Sequence, residues 1–225
     1  MARLARLVVA GQAHLVIQRG HGGAAAFADG VDRAAYLAAL REAAAAELVQ
    51  VHAYALLPSE VLLLATPGRT AALGRVMQAL GRRYVAAHNR RHGRRGTLWD
   101  GRYRCGVVEP GTTRLQALCL VDGAAAEAGL TSAPHRLGGP RDALLVDPPE
   151  YWALGNTPFD REAAYRALLD AGLAPDAADA LRRATLGGWA AGSAAFKAGL
   201  AAALSRPAQP RPRGRPRKVL PAGKG

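Results

Sequence analysis

Residues 49–67 read VQVHAYALLPSEVLLLATP. Two apolar runs, 49–57 and 60–66, are separated only by Pro58-Ser59. A proline presets the backbone for a turn and cannot donate to a strand ladder, so runs this close must pair as an antiparallel hairpin. The second run opens on one carboxylate, Glu60, ahead of Val61, Leu62, Leu63 and Leu64. A lone acid at the mouth of an apolar strand is a catalytic group, a metal ligand, a solvated strand end or the remnant of a site.

Working outward, Tyr36, Leu37, Leu40, Ala44 and Leu48 recur at helical spacing and predict a helix over 31–48, capped by Asp29 or Asp32. Before it, 4–9 and 14–18 form a strand region that closes on Arg19-Gly20, and GHGG (20–23) is a loop. After the hairpin come a helix from Thr70 to about Asn89, a basic loop RRHGRRG (90–96), a strand over 102–109 and a helix over 112–129 with Gly129 as its stop. This β-α-β-β-α-β-α order predicts an α+β, ferredoxin-like split β-α-β domain over 1–130 with one added helix. Residues 131–158 are rich in Pro and Gly and read as a linker; 159–204 read as a small helical unit; 205–225 form a basic tail whose composition predicts disorder in the free chain.

The formal net charge is +13 and the pI about 10.9, which points to a polyanionic partner rather than a small metabolite. Codon bias accounts for abundant arginine but less well for clustered arginine. The two cysteines, Cys105 and Cys119, lack the spacing of a zinc site or a disulfide framework, which fits a reducing cytoplasm. Arg6, Gln12 and His14 interrupt the apolar start too early for a signal peptide, and no run is long enough to span a membrane. The expected location is cytoplasmic and nucleoid-associated, with no membrane partner.

Two segments carry the charge. PRGRP (212–216), flanked by Arg211, Arg217 and Lys218, has the form of an AT-hook. Gly214 lets the backbone sink into a narrow minor groove, and Arg213 and Arg215 then lie along its floor; a generic basic tail is the alternative. The second segment, 81–104, holds Arg82, Arg83, Arg90, Arg91, Arg94, Arg95, Arg102 and Arg104 against one acid, Asp100, with Tyr84, Trp99 and Tyr103 interleaved. Guanidinium groups bind phosphates in pairs of hydrogen bonds, and aromatic faces stack on unpaired bases. Trp99 and Tyr103 read better as core residues; the arginines read better as a nucleic-acid surface. His88 and His92 lie in the same segment and would add charge at low pH.

VHAYALLPSEVLLLATP, MQALGRRYVAAHNRRHGRRGTLWDGRYR and RRATLGGWAAGSAAFKAGL together resemble the single-tyrosine HUH transposases, in particular their REP-associated tyrosine transposase branch. The resemblance covers roughly residues 4–130, with weaker echoes to about 218. It implies the same split β-α-β sheet, a divalent metal (Mg or Mn) held by two histidines of a Pro-Asn-His-hydrophobic-His strand, and a nucleophilic tyrosine on the third helix with an Asn or Gln ligand one turn later. Matched position by position, Glu60 and Leu62 stand where the family has its histidines, Leu120 stands at the tyrosine and Ala124 at the further ligand. Tyr84, Tyr103 and His14 match structural positions. Glu60 with His52 or Asp122 is the one alternative metal set; His52 and Tyr54 share a strand face by simple alternation.

The expectation is therefore a bacterial DNA-binding pseudoenzyme of this family with degenerate catalytic residues, no metal and no cofactor. It would bind hairpin or single-stranded DNA through the arginine segment and AT-rich duplex through the tail, as a monomer or homodimer. The alternatives are an active transposase with an unrecognised nucleophile, and a decaying copy without function.

Overall fold

The computed structural model describes residues 5–124 and 129–210. The sheet is built from β1 (Ala13–Arg19), β2 (Val49–Leu56), β3 (Glu60–Pro67), β4 (Arg104–Val108) and the two-residue β5 (Leu130–Thr131), in the order β4-β1-β3-β2-β5. Every strand pair is antiparallel. This is the split β-α-β sheet of an α+β fold, with β5 added at one edge.

The Pro58-Ser59 hairpin forms as expected: Leu56 pairs with Val61, and the Leu57 amide donates to the Glu60 carbonyl at 2.9 Å. Further along, β2 carries a bulge between Val51 and Ala53. The bulge resets the alternation, so that Val49 and Val51, then Tyr54 and Leu56, line one face while Ala53 and Ala55 line the other. His52 therefore does not follow Tyr54; its ring reaches the Val146 carbonyl at 2.6 Å and Thr66 Oγ1 at 2.8 Å.

One face of the sheet is covered by α1 (Gly30–Glu47) and α2 (Ala72–Arg91), which pack antiparallel. Asp29 caps α1, its carboxylate accepting from the Val31 and Asp32 amides. The layer between is a core of Tyr36, Leu40, Val76, Leu80 and Tyr84 against Val16, Val51, Leu56, Val61 and Leu63, with Phe27 and Trp99 packed edge-on among the tyrosines.

The opposite face carries α3 (Thr112–Asp122), the short α4 (Pro149–Trp152), α5 (Pro158–Ala171) and α6 (Pro175–Gly187). Here Leu15, Ile17, Leu62 and Leu64 meet Leu118, Val121, Tyr151, Tyr165 and Leu181. The α3 helix stops at Gly123, whose amide returns to the Cys119 and Val121 carbonyls, and not at Gly129. The segment read as a linker supplies β5, a 3-10 turn over Ala133–Arg136 and a buried polar knot. In it Arg136 pairs with Asp122 at 2.8 Å and lies 2.9 Å from Asp147 without hydrogen-bond alignment, while Tyr165 donates to Asp122 at 2.7 Å. A last helix, α7 (Ala194–Leu204), packs through Phe196 and Leu200 on Leu7 and Val107.

The β4 edge and the part of β2 beyond the short β5 are covered by other segments, which hinders pairing there with another chain. Ala191 exchanges backbone bonds with Val107 and Glu109 beside β4, and the Val146 amide donates to Val51 beside β2. Among the described residues no helix is long and apolar enough to cross a membrane.

Candidate metal centre and basic rim

Antiparallel packing brings the first turn of α1 against the last turn of α2. Charges at both ends suit this: carboxylates sit at the positive end of one helix dipole, and histidines and arginines at the negative end of the other. Along the rest of the pair, Arg83 pairs with Glu42, and Arg75 with Glu47 at 2.8 Å.

At the joined ends, Asp32, His88 and His92 each offer one ligand atom, and these atoms lie within 4.8 Å of one another. His92 Nε2 is 3.0 Å from both Asp32 oxygens, and His88 Nε2 is 3.8 Å from Oδ2. Asp32 and His88 are buried, whereas His92 is about one quarter exposed and gives access from solvent. Burial pulls the Asp32 carboxyl upward, but hydrogen bonds from His92, the Ala28 amide and Arg91 outweigh it and hold the group ionised below its ordinary value. Burial also lowers His88, keeping its imidazole neutral, the form that binds metals.

The donor set fits a divalent cation. Two imidazole nitrogens and one carboxylate oxygen are the ligands of first-row metals and zinc. Of the two His88 nitrogens it is Nε2 that faces Asp32, while Nδ1 is buried without a hydrogen-bond partner. Arg91 opposes the fit in part, since its guanidinium donates to Asp32 Oδ1 at 2.6 Å and to Asp29 at 2.5 Å. It places a fixed positive charge beside the carboxylate that a cation would use.

The centre corrects the expectation of a chain with degenerate catalytic residues, no metal ligands and no cofactor. Read from sequence alone, His88 and His92 count only as added charge, and Asp32 only as a cap. Their spacing of four residues puts both imidazoles on one helical face, which is a readable ligand signal. The carboxylate comes from another helix and is supplied only by the α1–α2 packing.

Around this centre the chain is rich in unpaired cations. Arg82, Arg90, Arg94 and Arg95 are exposed and have no acidic partner among the described residues, whereas Arg83 and Arg91 are committed to Glu42 and to Asp29 and Asp32. The loop after α2 is held by the Arg94 amide on the Asn89 carbonyl and by Asn89 Nδ2 on the Gly96 carbonyl. Gly93 and Gly96 both adopt positive φ, which keeps this loop tight. Trp99 and Tyr103 are buried and present no stacking face.

The nearest hydroxyls to the centre are inaccessible. Tyr84 donates to the Ala26 carbonyl at 2.6 Å, and burial pushes its phenol above the ordinary range; Tyr36 is shifted the same way by the same cause.

The positions matched to the family's catalytic groups lie on the other face of the sheet. Glu60 pairs with Arg19 at 2.9 Å and with Arg182 at 2.8 Å. Leu62 is fully buried, and Leu120 and Ala124 pack against the same apolar cluster. His52 and Asp122 do not join Glu60: the first bonds Thr66 and Val146, the second Arg136, Ser132 and Tyr165. His14 is also structural. Its ring accepts from the Val9 amide and donates to the Gln12 carbonyl, and burial lowers it to about 4. Arg213, Gly214, Arg215, Arg217 and Lys218 lie outside the described residues.

No family model and no curated protein matches the chain. Among solved structures it is similar to a REP-associated tyrosine transposase bound to a REP hairpin, at 10% identity and a TM-score of 0.46, over 54% of this chain and 70% of that one. It is also similar to a Deinococcus radiodurans protein described as a transposase, at 22% identity and a TM-score of 0.38, over 56% of this chain and all of that one. Both overlaps are partial, and the functional reading rests on this chain's own residues.

Proposed function

We propose that the chain is a DNA-binding, transposase-like enzyme whose strand chemistry depends on a divalent metal held by Asp32, His88 and His92. The observation that carries this is the convergence of those three side chains at the base of an exposed arginine surface. A metal there supplies Lewis-acid polarisation of a phosphate oxygen. The chain's own groups do the rest. Arg90, Arg94 and Arg95 bind the phosphates on either side of the centre, and Arg82, Arg102 and Arg104 extend the track. Asp32 would supply the anionic ligand and the imidazoles of His88 and His92 the rest. The attacking group is none of the buried phenols nearby, so it comes from solvent or from the substrate strand.

The substrate we infer is hairpin or single-stranded DNA. The tail residues Arg213, Gly214, Arg215, Arg217 and Lys218 add a minor-groove grip on AT-rich duplex, in a cytoplasmic, nucleoid-associated monomer or homodimer.

The test is a labelled hairpin DNA incubated with the protein and Mg²⁺, Mn²⁺ or Zn²⁺. Strand cleavage or rejoining that requires the metal and disappears in the His88→Ala, His92→Ala double variant is expected. Salt-sensitive binding with no metal-dependent product under any of the three ions overturns the enzymatic reading and leaves DNA binding alone.

A further inference from the structure

A second charged feature lies away from the metal centre, at the β4 end of the molecule. A cavity of about 270 Å³ is lined by Arg6, Arg102, Arg104 and Arg206, with Trp189 and Tyr103. Asp100 is the one acid in its wall. None of the four guanidinium groups has an acidic partner among the described residues.

The arginines are placed by the fold. Arg6 lies over the Tyr103 ring at 3.9 Å and donates to the Tyr103 carbonyl at 3.2 Å. Arg206 comes from the far end of the chain and donates to the Arg6 carbonyl at 3.2 Å, while its buried Nε has no partner. Trp189 is seated against Gly187, where a Cβ would fall 2.4 Å from the indole, so only glycine admits the ring in this position. Four like charges around one cavity repel each other, and the arrangement is stabilised by a bound anion. An indole in the same wall calls for a flat partner.

We propose that this cavity binds a single nucleotide of an unpaired DNA strand, its phosphate on Arg6, Arg102, Arg104 and Arg206 and its base against Trp189. The volume suits one nucleotide and no more. Asp100, Gly101 and Arg102 in its wall follow the arginine loop in the chain. The inference extends the DNA-binding reading but needs no metal and no strand chemistry.

Binding of the 5′-phosphorylated dinucleotide pdTpdT, followed by tryptophan fluorescence and calorimetry, tests it. The native protein should saturate. The Arg104→Ala, Arg206→Ala double variant should bind at least tenfold more weakly, and Trp189→Phe should lose most of the fluorescence change while weakening binding less than the arginine pair. Arg166→Ala, an exposed arginine of α5 outside both the cavity and the arginine track, serves as a charge control and should bind as the native protein does. Absence of saturable binding, equal loss in the Arg166→Ala control, or inorganic phosphate binding as tightly as pdTpdT would overturn the proposal. Metal titration and metal-dependent cleavage separate the two readings: metal binding survives in the Arg104→Ala, Arg206→Ala protein if only the pocket is lost, and absence of a metal-dependent product in a native protein that still binds pdTpdT speaks against the enzyme reading alone.

Discussion

The two faces of the sheet differ in what they do with charge. On the α3 face, charge is paired: sealed in the Arg136–Asp122–Asp147 knot, held in the Arg114–Glu150 pair, or tied near the surface as Arg19–Glu60–Arg182. On the α1–α2 face, the helix ends hold an aspartate and two histidines open to solvent through His92, under arginines without partners. The first arrangement pairs its charges internally and serves stability. The second leaves nitrogen and cation valences unfilled, which is the condition for binding something else.

Breaking the sealed knot should have the largest effect. Arg136→Ala leaves Asp122 and Asp147 buried without their partner and should cost about 3–5 kcal/mol in chemical denaturation. Leu62→Ala opens a cavity in the same face and should cost about 3 kcal/mol, with DNA binding retained by the residual folded protein. Were Leu62 part of a working site, binding would fall further than stability.

Acid should act on the histidines that the fold keeps neutral. His14 has its ordinary value near 6.5 when unfolded and about 4 when folded, so below 6.5 the unfolded state binds more protons. Its contribution is intact above pH 6.5 and is lost progressively as pH falls toward 4, by roughly 3 kcal/mol at most. His52 and His88 are lowered by burial in the same direction. Urea melts between pH 7 and 4 should show this slope, and His14→Gln should flatten it. The smallest effect belongs to Glu60→Gln, whose two ion pairs lie near the surface and together contribute no more than about 1 kcal/mol.

The hairpin, the two crossover helices and the antiparallel sheet follow from patterns within a few residues of each other: Pro58-Ser59 between apolar runs, Asp29 before a helical stripe. The features that stayed hidden depend on contacts across the chain. The bulge at Val51/Ala53 leaves no mark in an apolar run. Arg136 lies in a segment whose prolines and glycines signal only a connection, yet its charge is buried by Asp122 from α3. The i, i+4 pair His88 and His92 was visible, but Asp32 completes it only because α1 and α2 run antiparallel. A capping aspartate and a metal ligand look alike until the second helix is in place.

The most direct test is calorimetric titration of Zn²⁺ and Mn²⁺ into the native protein and into Arg91→Ala and His88→Ala, His92→Ala variants. One saturating site per chain is expected in the native protein, tighter in Arg91→Ala because the competing guanidinium is gone, and absent in the double histidine variant. A native protein that binds neither metal, or a double variant that binds as well as the native one, would contradict the assignment of Asp32, His88 and His92 as the metal centre.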